Sequence, residues 1–311
     1  MLDSMKTLLK EQYSINISAI APQQGGWAAL AYKATSESKH YFVKVYEKSR
    51  ASTAKLTAHI DRYVPIIRWL VQNSQLEGKI SVPLLTNDGC YKYEDEHGIY
   101  MLYDYIEGET IGDRELNGKQ VRQFIAIITE LHRFGAEIPF ASGWMKEQFD
   151  VPYTDLLQKA LSGDIGYMPD EVRRLLAAYE LPLSRTINKV KELSQRLQAG
   201  ELKMALCHTD LHYWNVMQQV KSEQLILIDW EGLKLAPVEA DMMFLVDKPY
   251  FNEFLNVYRH THADYEIHSE ALLFYQKRRL LEDIWEFLEQ LLYEEQGEHT
   301  FNYLTKELKA L

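Results

Sequence analysis

The 311 residues carry 45 acidic and 34 basic side chains, a formal charge of −11, with 46% apolar and 25% charged residues. These are the proportions of a globular chain long enough for one large domain or two lobes. So acidic a balance disfavours nucleic acid and anionic membranes as partners, and is compatible with a cationic small molecule. Cys90 and Cys207 are too few for a multi-cysteine metal site or a disulfide framework, and fit a reducing compartment. Residues 1–10 alternate charged and apolar side chains without a signal-type apolar core. No run approaches the roughly 18 apolar residues of a membrane span. The expectation is a soluble cytoplasmic protein, monomer or homodimer.

Residues 3–13 read as a short helix with Met5, Leu8 and Leu9 on one side. Gln24-Gly25-Gly26-Trp27 is a turn-like break, followed by two strands, Ala28–Ala34 and His40–Tyr46, about a polar turn. In the second strand Tyr41, Val43 and Val45 alternate with Phe42 and Lys44, so Lys44 leaves the opposite face. Residues 52–72 are helical in pattern, with Pro65 expected to kink the helix or begin a second one. The apolar runs Ile80–Leu85 and Ile99–Tyr105 read as further strands of the same sheet, and Glu107-Gly108-Glu109 as a linker. Beyond it the pattern is mainly helical: Asn117 caps a helix carrying Val121, Phe124, Ile125, Ile128 and Leu131. More helix follows over 154–200, and Leu280, Leu281, Ile284, Trp285 and Leu288 form a stripe near the end. The class is α+β: a small sheet-rich N-lobe over 1–104 and a larger helical C-lobe over 105–311.

The most specific feature is His208-Thr209-Asp210-Leu211-His212-Tyr213-Trp214-Asn215, followed 14 residues on from Asn215 by Asp229 at the end of the apolar run Leu225–Ile228. Phosphoryl transfer needs such a set of groups. One carboxylate, Asp210, orients and deprotonates the attacking hydroxyl. An amide oxygen and a second carboxylate, Asn215 and Asp229, supply the hard oxygen ligands that Mg2+ prefers. His208 is placed to brace the loop through the backbone.

Together these motifs resemble the aminoglycoside phosphotransferase and choline kinase superfamily, which has a bilobal protein-kinase-like fold. Asp229-Trp230-Glu231 stands where protein kinases have Asp-Phe-Gly. The resemblance implies a kinase using ATP or GTP with magnesium. It makes Lys44 the strand lysine that contacts the α- and β-phosphates. Gly25 and Gly26 resemble a shortened phosphate-covering loop, departing from G-x-G-x-x-G. Asp104 and Ile106 fall at the purine-binding hinge. The family pairs its strand lysine with a helical Glu; here the helical segment offers only Asp61.

The segments Leu235–Phe244 and Arg278–Ile284 resemble those of spectinomycin 9-phosphotransferases, a branch of the same superfamily. An amine-bearing acceptor is therefore implied, an aminoglycoside or aminocyclitol. Glu282 and Asp283 are its candidate carboxylate contacts, Glu231 is a candidate for metal or acceptor, and Trp214 could meet a substrate ring face. Two alternatives stay open. One is a kinase of a small metabolite of the choline, homoserine, methylthioribose or sugar type. The other is a nucleotide-binding pseudokinase module, which predicts loss of Lys44, Asp210, Asn215 or Asp229; all four are present.

Overall fold

The computed structural model describes residues 2–23, 29–50, 52–139, 143–263, 265–293 and 298–311. Gly25 and Gly26 lie outside the described residues. Contacts divide the chain into two compact units. The first holds Met1–Met145, Ala205–Lys234 and Lys248–Ala263; the second holds Lys146–Met204, Leu235–Asp247 and Asp264–Leu311.

The chain opens with α1 (Leu2–Tyr13), β1 (Ala19–Gln23), β2 (Leu30–Thr35) and β3 (His40–Glu47). Then come α2 (Thr53–Thr57), α3 (Ile60–Asn73), β4 (Tyr93–Glu94) and β5 (Gly98–Asp104). The strands form one antiparallel sheet in the order β1-β2-β3-β5-β4. The alternation in β3 decides its two faces. Val43 and Val45 are buried in a cluster with Tyr32, Ala34 and Leu102 of the sheet and Met5, Leu8, Leu9 and Tyr13 of α1. Lys44 and Tyr46 share the other face.

Three expectations about this region need correction. The helical stretch is two helices, but the break falls at Ala58 and His59, while Pro65 sits inside α3. A proline in the second turn costs one helical hydrogen bond without ending the helix, because α3 buries Tyr63, Val64, Ile66, Ile67 and Leu70 around it. Ile80–Leu85 is not a strand. It makes one isolated bridge, Ile80 to Leu227, and one further backbone–backbone bond, from Leu84 N–H to Leu102 O at 2.7 Å. Pro83 lacks the N–H that a ladder needs. Glu107-Gly108-Glu109 is not a free linker either. Gly108–Thr110 is β6, paired antiparallel with the strand that follows the Asp210 loop. A Cβ at Gly108 would collide with the backbone carbonyl of Gln218, so only glycine admits this pairing.

The rest of the chain is mostly helical. It runs through α4 (Gly118–Leu131), α5 (Tyr153–Ser162), α6 (Asp170–Ala178) and α7 (Glu180–Ala199). Three short strands come next: β7 (Ala205–Cys207), β8 (Val216–Gln219) and β9 (Leu225–Leu227). They are followed by β10 (Lys234–Ala236), α8 (Glu239–Met242), α9 (Phe251–Thr261), α10 (Ser269–Tyr293) and α11 (Glu298–Lys309). Asn117 caps α4 as expected: its side chain accepts from Lys119 and Gln120 N–H, and Gln120 reaches back to the Asn117 N–H in a reciprocal box. In the first unit β6, β8 and β9 form a small sheet, and α4 packs on α9. In the second unit α10 packs against α5, α7, α8 and α11, through buried Phe274, Tyr275, Leu281, Ile284, Trp285 and Leu288. Among the described residues, no helix is long and apolar enough to cross a membrane. The α+β expectation holds: an antiparallel sheet in the N-terminal region and helices in the C-terminal part.

Candidate active site

The loop between β7 and β8 is held by its own polar atoms. His208 is fully buried, and its Nε2 lies 2.9 Å from Ile228 O. Its Nδ1 accepts the Asp210 N–H at 3.3 Å. That pattern assigns the Nε2-protonated tautomer, with Nε2–H donating to the carbonyl. Trp230 packs edge-on against the His208 ring, centroids 4.7 Å apart, and donates its indole N–H to Leu227 O.

Thr209 has φ +68° and Asp229 φ +62°. Left-handed backbone is costly at such residues and persists where surroundings enforce it. At Thr209 the enforcing contact is its own hydroxyl, which donates to Gly232 O at 2.8 Å. Gly232 is required there: a Cβ would sit 2.5 Å from Thr209 Oγ1 and 3.0 Å from His208 O.

These constraints bring two groups of side chains together. In the first, Asn215 Nδ2 donates to Asp210 Oδ2 at 2.8 Å and to Asp210 O at 2.9 Å. His212 Nε2 lies 3.2 Å from the same Asp210 Oδ2. The Asn215 amide nitrogen is thereby turned toward Asp210, and Oδ1 is its remaining acceptor. In the second, Lys44 Nζ lies 2.9 Å from Asp229 Oδ1 and 2.6 Å from Glu231 Oε1. Tyr46 donates its hydroxyl to that same Glu231 oxygen. The groups are linked through the backbone, because Ile228 N–H donates to Asn215 O at 3.0 Å.

The electrostatics follow from burial. Desolvation alone would lower the Lys44 pKa, but the Asp229 and Glu231 carboxylates outweigh it and hold the pKa well above its ordinary value. Burial, reinforced by Glu231 against the opposing pull of Lys44, raises the Tyr46 pKa. Tyr46 is therefore a neutral O–H donor. An amide oxygen and a carboxylate are the hard donor set that suits Mg2+, so Asn215 Oδ1 and Asp229 fit that ion.

Asp61 is not the partner of Lys44. It sits in the exposed first turn of α3 and pairs with Lys92 at 3.1 Å. Asp104 closes β5 opposite Tyr41 and pairs with Lys39 at 2.5 Å. Ile106 lies in the three residues between β5 and β6. Trp214 is half exposed, its ring over Gly112. Tyr46 and His212 were not among the expected site residues. The shared face of Lys44 and Tyr46 was a usable signal for the first, and position within the loop for the second.

Glu282 and Asp283 belong to the second unit, where α10 already supplies them with cations. Arg278 lies 3.5 Å from Glu282 and 3.1 Å from the buried Glu147, while Arg279 lies 2.8 Å from Asp283. Burial nonetheless pushes the Asp283 carboxyl from its ordinary 3.8 up to about 6, against the pull of Arg279. A raised folded-state pKa favours the folded state at low pH. That stability is complete below the unfolded value and is lost as pH rises through the folded one. Between pH 3.8 and about 6 the wild type should therefore lose stability relative to Asp283→Asn, with no further divergence above that window. Melting temperatures of the two proteins across this range check it, and parallel curves would contradict it.

The fold recurs in solved structures. The chain superposes on a spectinomycin phosphotransferase complexed with ADP and spectinomycin with a TM-score of 0.76 and 23% identity, over 100% of this chain and 94% of that one. It matches choline kinase LicA from Streptococcus pneumoniae with a TM-score of 0.61 and 18% identity, over 99% of each chain. A GDP and kanamycin complex of an aminoglycoside phosphotransferase gives 0.64 and 14%, over 99% of this chain and 96% of that one. No curated protein sequence matches the chain. Residues 19–279 match the sequence profile of the phosphotransferase enzyme family, which spans most of the chain and carries Lys44, the Asp210 loop and Asp229. The chain belongs to the phosphotransferase enzyme family.

Proposed function

We propose that the protein is a small-molecule kinase that transfers the γ-phosphoryl group of ATP or GTP to a hydroxyl of an amine-bearing acceptor, of the aminoglycoside or aminocyclitol type. The observation that carries this reading is the pairing of two constellations through one backbone bond. Asp210 with Asn215 stands on one side, Asp229 with Lys44 on the other, and Ile228 N–H to Asn215 O joins them. Residues 1–104 would serve the nucleotide and residues 105–311 the chemistry and the acceptor.

In the proposed mechanism Asp210 accepts or orients the acceptor hydroxyl proton through its carboxylate. Asn215 holds that carboxylate by its amide N–H, which fixes the direction of approach. Lys44 positions the α- and β-phosphates. Asn215 and Asp229 would hold magnesium, whose chemistry is to offset charge on the phosphate oxygens. The rate gain comes from positioning and fixed electrostatics. Trp214, half exposed and next to Asn215 in the chain, is a proposed contact for the acceptor.

Complexes of similar folds with ADP, AMP and GDP support the nucleotide. The spectinomycin and kanamycin complexes support the acceptor class. Similar folds in a choline kinase and an aminopropanol kinase favour, as second reading, a small amino-alcohol metabolite. The test is nucleotide consumption by purified protein, coupled to a panel of aminoglycosides, spectinomycin, choline and related amino alcohols. Turnover with an aminocyclitol or aminoglycoside is the expected result. Turnover with amino alcohols alone would replace the acceptor, and none with any of them would reject both classes.

A further inference from the structure

A lysine that meets phosphates is useful only if its long, mobile side chain is held. Helices α2 and α3 carry a single carboxylate, Asp61, and that one is exposed and committed to Lys92. Lys44 turns instead to Asp229 and Glu231. Under the proposed function Asp229 also serves magnesium, so it cannot be given wholly to the lysine. Glu231 can. Its side chain is only 13% exposed, it makes the shorter contact with Lys44, and Tyr46 donates to the same oxygen. Tyr46 is two residues from Lys44 on β3 and fully buried, so donor and cation lie on one face of one strand, and Glu231 meets both.

We propose that Glu231, held by Tyr46, is the positioning residue for Lys44, in place of a helix carboxylate and not as an acceptor contact. The assignment rests on the proposed function, because it presumes that Lys44 meets a nucleotide.

ADP binding measured by calorimetry, with EDTA in place of magnesium, tests it directly. Wild type, Glu231→Gln, Lys44→Met and the double variant are compared. Glu231→Gln should weaken ADP about 10-fold, mid-range for directly coupled residues, and should add nothing in the Lys44→Met background. With the acceptor that turns over, kcat/KM for nucleotide should fall roughly 10²-fold, the cost of misplacing a positioned group by about 1 Å. The KM for acceptor should be unchanged. Tyr46→Phe removes only the hydroxyl donor and should give a smaller loss in the same direction. It serves as the measurement if melting curves show that Glu231→Gln does not fold. Additive effects of Glu231→Gln and Lys44→Met, unchanged ADP affinity, or a change confined to the acceptor KM would each overturn the assignment. A wild-type protein that binds neither ADP nor ATP, with or without magnesium, would overturn the proposed function and this assignment together. Normal wild-type binding with an insensitive Glu231→Gln overturns the assignment alone.

Discussion

Asp210→Asn should lower kcat by about 10²–10⁴-fold, the usual worth of a positioned general base, while nucleotide binding and melting temperature stay near wild type. The substitution is nearly isosteric. An amide oxygen at position 210 can still accept from Asn215 Nδ2, now at 2.8 Å from Asp210 Oδ2, so the loop keeps its shape. What disappears is the negative charge that would take the hydroxyl proton. Asn215 has no basic site to take its place. Steady-state kinetics with the acceptor found by the panel assay, alongside ADP calorimetry, would check both halves. A variant with wild-type kcat would remove Asp210 from the chemistry. A variant with lost ADP affinity would instead make it a nucleotide contact.

The parts of this site that were legible in the sequence are those whose spacing is local. The Asp210 to Asn215 interval is one loop, and Asp229 follows an apolar run that ends in an abrupt backbone reversal at φ +62°. Lys44 could be placed on its face because the residues on either side of it, Val43 and Val45, are apolar and buried on the other. The partner of Lys44 was not legible. It is 187 residues away, and no periodicity reports a pairing between a strand and a distant loop. Local pattern instead pointed to Asp61, the carboxylate nearest in sequence that sits on a helix. The same limit explains Gly108. Its neighbours are two glutamates, which read as solvent-exposed linker. Its pairing depends on Gln218, whose carbonyl leaves no room for a side chain. In Ile80–Leu85 composition misled in the other direction, because an apolar run can be buried by single contacts without forming a ladder.

The largest stability effect should come from a charge that the mechanism does not use. Glu147 has a side chain only 2% exposed; it accepts from Arg278 at 3.1 Å and from the Phe149 N–H at 2.8 Å. Arg278 is itself 13% exposed and lies over the rings of Phe274 and Tyr275, which keep water from most of the guanidinium and leave its charge to the carboxylates. Burial alone would lower the Arg278 pKa, but Glu282 and Glu147 reverse that and raise it, so the guanidinium stays charged. Glu147→Ala removes the better-buried of its two anions and leaves Glu282 at 3.5 Å, more exposed and less direct. It also orphans the Phe149 N–H. Breaking such a pair from one side costs ~3–5 kcal/mol, because the remaining charge stays buried without its partner. Replacing both members with apolar residues of similar volume, Glu147→Leu with Arg278→Met, should cost clearly less than Glu147→Ala alone. Urea unfolding of the two variants and the wild type distinguishes the cases. If the double variant is the less stable of the two, then the pair stabilises the second unit by more than its desolvation costs. If Glu147→Ala unfolds at the wild-type midpoint, then Arg278 is satisfied without it.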